Sequence, residues 1–113
     1  MSIEYDIMMD KKLVLAKGCG VITGPEVMEH LAALAMDNRY RAPMKKLVDY
    51  RSVDSIRISP DEAYSIARMK VRFTSVFTGE KCAFVSPKDD AYSSSQMHRT
   101  LVNGIGLRTQ VFR

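Results

Sequence analysis

The chain has 113 residues, a formal net charge of +4 and an apolar content of 46%, which suits one globular domain and excludes a disordered chain. Its lysines and arginines are spread along the sequence with no dense basic run, so we expect a solvated surface and no nucleic-acid partner. No apolar stretch approaches the ~20 residues of a membrane span, and the acidic start lacks the pattern of a signal peptide, so we expect a cytoplasmic protein.

The first predicted elements are the two strands of an antiparallel hairpin. Apolar residues alternate with others over Ile3–Met9, which is typical of a strand with one wet face. Asp10–Lys12 predicts a short turn. Leu13–Lys17 predicts the partner strand, which ends at the glycine-rich segment Gly18–Gly20.

A helix and a parallel strand are predicted next. Thr23 is a good N-cap, Pro25 suits the first helical turn, and Glu26 complements the positive end of the helix. Apolar residues at helical spacing continue this helix to about Asp37. Lys45–Tyr50 then predicts a strand that is parallel to its neighbour, because a helix connects the two.

The second helix has the clearest start signal in the sequence. Ser59 is a natural cap, followed by Pro60 and two acidic residues in the first turn. Its apolar stripe predicts one helix up to Gly79 and consists of Ala63, Ile66, Met69, Phe73, Val76 and Phe77. The basic residues Arg68, Lys70 and Arg72 lie mostly off this stripe, and Arg72 at least is expected to be exposed.

The last third of the chain predicts a strand, a helix and a strand. Lys81–Ser86 has little polar alternation and suits a central strand. A third helix begins near Pro87 and ends at Gly104–Gly106, and Leu107–Phe112 forms the final strand. The order ββαβαβαβ predicts an α/β fold with a mixed central sheet of about five strands and three helices, in a single domain covering residues 1–113.

Four stretches of this pattern carry a resemblance to a known family: Leu47–Arg51, Ile58–Glu62, Cys82–Pro87 and Gln110–Arg113. The chain resembles the small STAS-like proteins, also called SpoIIAA-like, which are related in fold to anti-sigma-factor antagonists. The resemblance implies a binding or regulatory module that acts through a protein partner or a small apolar or anionic ligand. Family members often continue with a C-terminal helix, whereas this sequence stops on a strand. The uncovered apolar face makes a homodimer a reasonable hypothesis.

The resemblance also directs attention to serines near the third strand. Signalling members carry a phosphorylatable serine at the start of the following helix, and the nearest residues here are Ser52, Ser55 and Ser59. A phosphate on Ser59 would meet free backbone N–H groups, although a capping role also explains this residue. Asp49 follows a strand and is a further ligand-binding candidate, or simply a turn or cap residue.

No catalytic, metal or cofactor motif stands out, so we expect no enzyme, no metal site and no cofactor. The alternative is a small enzyme whose site assembles from the dispersed residues Asp49, Ser59 and His98, which would have to converge on one pocket. Glu26 and His30 are four residues apart on one helix, and a surface pair is expected there.

The two cysteines, Cys19 and Cys82, lie in apolar strand-like stretches. Neither has a second ligand at zinc-like spacing or belongs to a Cys-x-x-Cys motif. A free cysteine in such a stretch behaves as a small hydrophobic residue, so we expect both side chains to be buried, with a structural disulfide as the alternative. The strand-centre setting of Cys82 argues against a nucleophile there.

Overall fold

The computed structural model of this chain describes residues 2–103 and 107–113. Its elements in chain order are β1 (Ile3–Met8), a 3-10 turn (Met9–Lys11), β2 (Leu13–Thr23), α1 (Gly24–Met36), β3 (Lys45–Arg57), α2 (Pro60–Arg72), α3 (Thr74–Phe77), β4 (Lys81–Val85), α4 (Asp89–Val102) and β5 (Arg108–Phe112). The α/β class and the order of the strands are those predicted, with one additional short helix, α3. The predicted helix end at Gly104–Gly106 lies outside the described residues.

The five strands form one mixed sheet in the sequential order β1-β2-β3-β4-β5. β1 and β2 pair antiparallel, as the predicted hairpin requires, and the other three pairings are parallel. Right-handed crossovers between successive parallel strands place every connecting helix on the same face of the sheet. Helices α1, α2 and α4 therefore cover one face, and no helix of the described ranges covers the other.

The phase of each strand decides which side chains enter the core between sheet and helices. Along β3, Lys46, Val48 and Tyr50 are buried, whereas Leu47 and Asp49 between them are only half-buried. Successive side chains of a strand point to opposite faces. The buried set therefore faces the helices, and the half-buried set lies on the helix-free face.

β2 and β3 are longer than the sequence predicts. The glycine-rich segment Gly18–Gly20 does not end β2, which continues to Thr23, and β3 runs well past Tyr50. The two strands stay paired there through register shifts, and Gly20 has a φ of 67°, a left-handed conformation that glycine adopts at low cost. A Cβ atom on Gly18 would lie 2.8 Å from the Tyr50 ring. These glycines therefore serve an irregular strand and a close contact.

Both predicted helix caps are confirmed. Thr23 Oγ1 accepts a hydrogen bond from the Glu26 N–H at 3.4 Å, and Glu26 Oε2 accepts one from the Thr23 N–H at 3.2 Å. Ser59 and Glu62 form the same reciprocal pair at 3.1 and 2.9 Å. Such pairs satisfy backbone donors that the first helical turn leaves open. The local sequence therefore determines where α1 and α2 begin.

The predicted second helix is divided at Phe73, where the backbone leaves helical geometry between α2 and α3. The Phe73 N–H still donates to the Met69 carbonyl at 2.9 Å. Phe77 in α3 is fully buried, with ring centroids 5.3 Å from Tyr40 and 6.5 Å from Phe73 in edge-to-face contacts. The edge-to-face contacts of Phe77 stabilise the packed position of α3.

Candidate functional site

The four predicted binding residues do not form a common site. Asp49 lies on the helix-free face of β3, where its carboxylate accepts hydrogen bonds from the Arg51 guanidinium at 3.0 and 2.9 Å. These bonds hold the pKa of Asp49 below its ordinary value. Ser52 and Ser55 lie inside β3, since that strand is longer than predicted. Only Ser59 stands at a helix start.

The alternative enzyme site is not assembled either. Among Asp49, Ser59 and His98, only His98 lines the cavity that lies beneath the helices. Asp49 is on the opposite face of the sheet, and Ser59 is an exposed cap at the start of α2. The three residues therefore share no pocket.

The role of Ser59 as a cap leads to a stability prediction. Ser59→Ala is expected to lower the free energy of unfolding by about 1 kcal/mol, because the Glu62 N–H loses its acceptor. Urea denaturation measures the effect. Ser65→Ala is the matched control in the same helix, since Ser65 is exposed and alanine favours a helix. Equal stability changes in the two variants would contradict the capping role.

A cavity of about 50 Å³ lies between the sheet and helices α1, α2 and α4. Most of its wall is apolar and includes Leu31, Val48, Ile66 and Phe84. The polar side chains in the wall are His30, Lys46, Tyr50, Lys70, Ser94, Ser95 and His98. One water needs roughly 10–15 Å³ measured in this way. The cavity therefore has room for a molecule of a few non-hydrogen atoms.

Lys46 brings a positive charge into the cavity wall. Lys46 is only 5% exposed, and its Nζ atom lies 2.7 Å from Nε2 of His30. None of the ion pairs among residues 2–103 and 107–113 includes Lys46. Burial and the charge of Lys70 lower the pKa of Lys46 to about 8, while the negative charge of Glu80 acts in the opposite direction. Near neutral pH, Lys46 is therefore a buried cation without a carboxylate partner.

His30 is neutral and has one unpaired donor. Because an ammonium group only donates, Nε2 of His30 accepts from Lys46, and the neutral ring then carries its proton on Nδ1. This Nδ1 atom is buried and has no hydrogen-bond partner. Burial and the charges of Lys46 and Lys70 lower the pKa of His30 to about 2. The predicted surface pair with Glu26 is wrong, since Glu26 completes the α1 cap and His30 faces the core.

Lys70 and Glu80 form a buried ion pair beside the cavity. They are 2% and 1% exposed, and Lys70 Nζ donates to Glu80 Oε1. Lys70 Nζ also lies 5.1 Å from the centroid of the Phe77 ring. The sequence pattern placed Lys70 among the basic residues off the apolar stripe, but Lys70 is buried, whereas Arg72 is exposed as predicted. The Glu80 carboxylate thus balances Lys70, and Lys46 remains without such a partner.

Helix α4 contributes a second imidazole and two hydroxyl groups to the wall. The His98 ring packs edge-to-face against Phe84, with centroids 5.8 Å apart, and burial lowers the pKa of His98 to about 3. The hydroxyl oxygens of Ser95 and Ser86 are 3.0 Å apart and share a hydrogen bond. Ser94 also lines the cavity. This side of the cavity therefore presents neutral polar groups.

The two cysteines differ in their surroundings. Cys82 is buried as predicted, and burial raises the pKa of its thiol to about 11. Cys19 is exposed, so the expectation that it is buried is wrong. It follows the buried Gly18 in β2 and is one position out of phase with the core-facing residues, which places its side chain on the other face. Both are free thiols.

Lys46, Lys70 and His30 were missed because each was treated as part of a solvated surface, whereas His98 was named only in the alternative enzyme site. A signal for two of them is present in the sequence. Lys46 is in phase with Val48 and Tyr50 on its strand, and Lys70 lies four residues after Ile66, on the inner stripe of α2. Reading charged residues by their phase would have indicated that both face the core.

No family model matches this chain, and no curated protein matches it. The STAS-like resemblance, the regulatory role, the protein partner, the homodimer and the cytoplasmic location therefore stay predictions. In the described ranges, no helix has both the length and the apolar character needed to cross a membrane. The same ranges contain no group of three or more histidine, cysteine or acidic residues arranged to hold a metal ion.

Proposed function

We propose that this protein is a STAS-like binding module whose cavity holds a small, mainly apolar molecule with one anionic group. The observation that carries the proposal is Lys46, a cation buried in the cavity wall with no carboxylate partner in the described chain. Burying a charge without a directly paired opposite charge costs free energy, and the Glu80 carboxylate offsets only part of that cost for Lys46. A bound anion would supply the missing opposite charge and so offset this cost.

The other side chains of the cavity wall indicate the chemistry of the ligand beyond its anionic group. Its side chains are mainly apolar, which favours a short hydrocarbon body. The unpaired Nδ1–H of His30 offers a second donor for an acceptor atom. A short-chain carboxylate combines these features, since it carries one negative charge, two acceptor oxygens and an apolar chain within the size that the cavity allows.

The proposal is tested by titrating straight-chain carboxylates, from acetate to hexanoate, into the full chain by calorimetry at neutral pH. The alcohols of the same length serve as uncharged controls. We expect the best carboxylate to bind at least tenfold more tightly than its alcohol, because a hydrogen bond to a charged group contributes about 1.5–3 kcal/mol. Its affinity should fall above about pH 8, where Lys46 loses its proton.

Two variants locate the site. Lys46→Met is expected to weaken carboxylate binding roughly 10- to 100-fold. Lys45→Met removes the same charge from the neighbouring exposed position and should leave binding unchanged. Circular dichroism checks that both variants fold. Equal binding of carboxylate and alcohol, equal binding by Lys46→Met and the wild type, or no binding at all would overturn the proposal.

A further inference from the structure

The Lys46 amine has the surroundings of a reactive nucleophile. It projects from β3 into a wall that is mainly apolar, and its partner at 2.7 Å is a neutral imidazole rather than a carboxylate. Lys70, by contrast, donates directly to the Glu80 carboxylate. Desolvation in an apolar pocket and a neighbouring cation are the two features that activate lysines for attack on carbonyl compounds.

We infer that Lys46 acts as a nucleophile toward small aldehydes and ketones that enter the cavity, forming an imine at its Nζ atom. The inference rests on the proposed function, since the carbonyl compound would occupy the same cavity. The cavity volume of about 50 Å³ limits the substrate to a few non-hydrogen atoms. The chemical class is therefore a short aliphatic aldehyde or ketone.

The reaction needs no redox partner. The neutral amine of Lys46 attacks the carbonyl carbon, a C–N bond forms, and the carbonyl oxygen gains a proton to give a carbinolamine. Loss of water then breaks the C–O bond and leaves the C=N bond of the imine. The two hydrogens of the amine leave with the oxygen as that water, so the atoms balance.

The supply of neutral amine distinguishes Lys46 from the surface lysines. With its pKa lowered to about 8, roughly a tenth of Lys46 is neutral at pH 7. An exposed lysine of ordinary pKa has roughly 300-fold less neutral amine at the same pH. We therefore expect selective reaction at Lys46 under neutral conditions, provided that the probe is small enough to enter.

The experiment is reductive trapping of the full chain with acetaldehyde and sodium cyanoborohydride, followed by intact mass measurement and peptide mapping. We expect Lys46 to be the first lysine side chain that is ethylated, at least tenfold faster than Lys45, with the α-amino group mapped separately. The Lys46 rate should level off above about pH 8, whereas the rates of exposed lysines should keep rising. In Lys46→Met the fast labelling of a lysine side chain should disappear, and in Lys45→Met it should remain.

Labelling confined to surface lysines, or a Lys46 rate no faster than that of Lys45, would overturn the inference. Carboxylate binding measured on the same preparation separates this result from a failure of the proposed function. Carboxylate binding without Lys46 labelling would overturn the imine alone, and Lys46 labelling without carboxylate binding would overturn the anion site alone. The two measurements also differ in their pH dependence. Near pH 8 the affinity for the carboxylate should fall, whereas the rate of trapping at Lys46 should rise.

Discussion

Replacing Glu80 by methionine is expected to lower the free energy of unfolding by about 3–5 kcal/mol, because the ammonium of Lys70 is left buried without its carboxylate. Lys70→Met should cost a similar amount for the converse reason. The double variant should recover most of the loss, since two apolar side chains of similar length leave no uncompensated charge. Urea denaturation of the four proteins gives the coupling energy.

The surface pair of Arg51 and Asp49 is the control for this cycle. Its nitrogen and oxygen atoms are 2.9 Å apart, but the Arg51 side chain is 71% exposed. Arg51→Met should therefore change the free energy of unfolding far less than Glu80→Met does, because solvent screens an exposed pair. If the losses of Glu80→Met and Lys70→Met simply added in the double variant, the two groups would not be coupled and the buried pair would be wrong.

The pH dependence of stability should reveal the buried charge of Lys46. The pKa of Lys46 is lowered from 10.5 to about 8 in the folded chain. Between these values the unfolded chain binds more protons than the folded chain, so the stability of the wild type rises with pH over this range. A tenfold change in proton affinity corresponds to about 1.4 kcal/mol, which makes the whole rise roughly 3 kcal/mol.

The measurement compares urea denaturation of Lys46→Met and the wild type at a series of pH values. The stability of the variant relative to the wild type should fall by roughly 3 kcal/mol between about pH 8 and about pH 10.5. The thiol of Cys82, whose pKa is raised to about 11, gives a slope of opposite sign but does so in both proteins. Lys45→Met should show a constant difference from the wild type. A constant difference for Lys46→Met as well would contradict a lowered pKa at Lys46.

The helix caps and the strand periodicity show which parts of the fold can be predicted from the sequence alone. Thr23 and Ser59 start helices where the sequence predicts, because a capping box involves residues only three positions apart. The hairpin and the parallel pairing of β3 follow from alternation and from the helices between the strands. Strand ends were predicted less well. Gly18–Gly20 has the composition of a turn, but Gly18 pairs with β1, and Cys19 and Gly20 pair with β3, which keeps the segment in a strand.

The candidate site was not predicted, because its residues form no recognisable sequence motif. None of Asp49, Ser52, Ser55 or Ser59 lines the cavity. Of the three residues of the alternative enzyme site, only His98 does. Asp49 and the three serines were chosen because they lie near a predicted strand end or helix start, and such positions occur in every α/β domain. No sequence motif contains Lys46, Lys70 or His30. The residue type alone does not distinguish a buried charged side chain from an exposed one.

The sequence by itself determined the fold class, the hairpin and the starts of α1 and α2, since these depend on contacts within a few residues or on the alternation of apolar side chains. Only the tertiary structure decided that α1, α2 and β3 bring His30, Lys70 and Lys46 to one cavity. It also decided that Glu80 pairs directly with Lys70, whereas no described carboxylate is in direct contact with Lys46. The physical reason is that the cost of a buried charge depends on its neighbours in space, and these come from elements far apart in the chain.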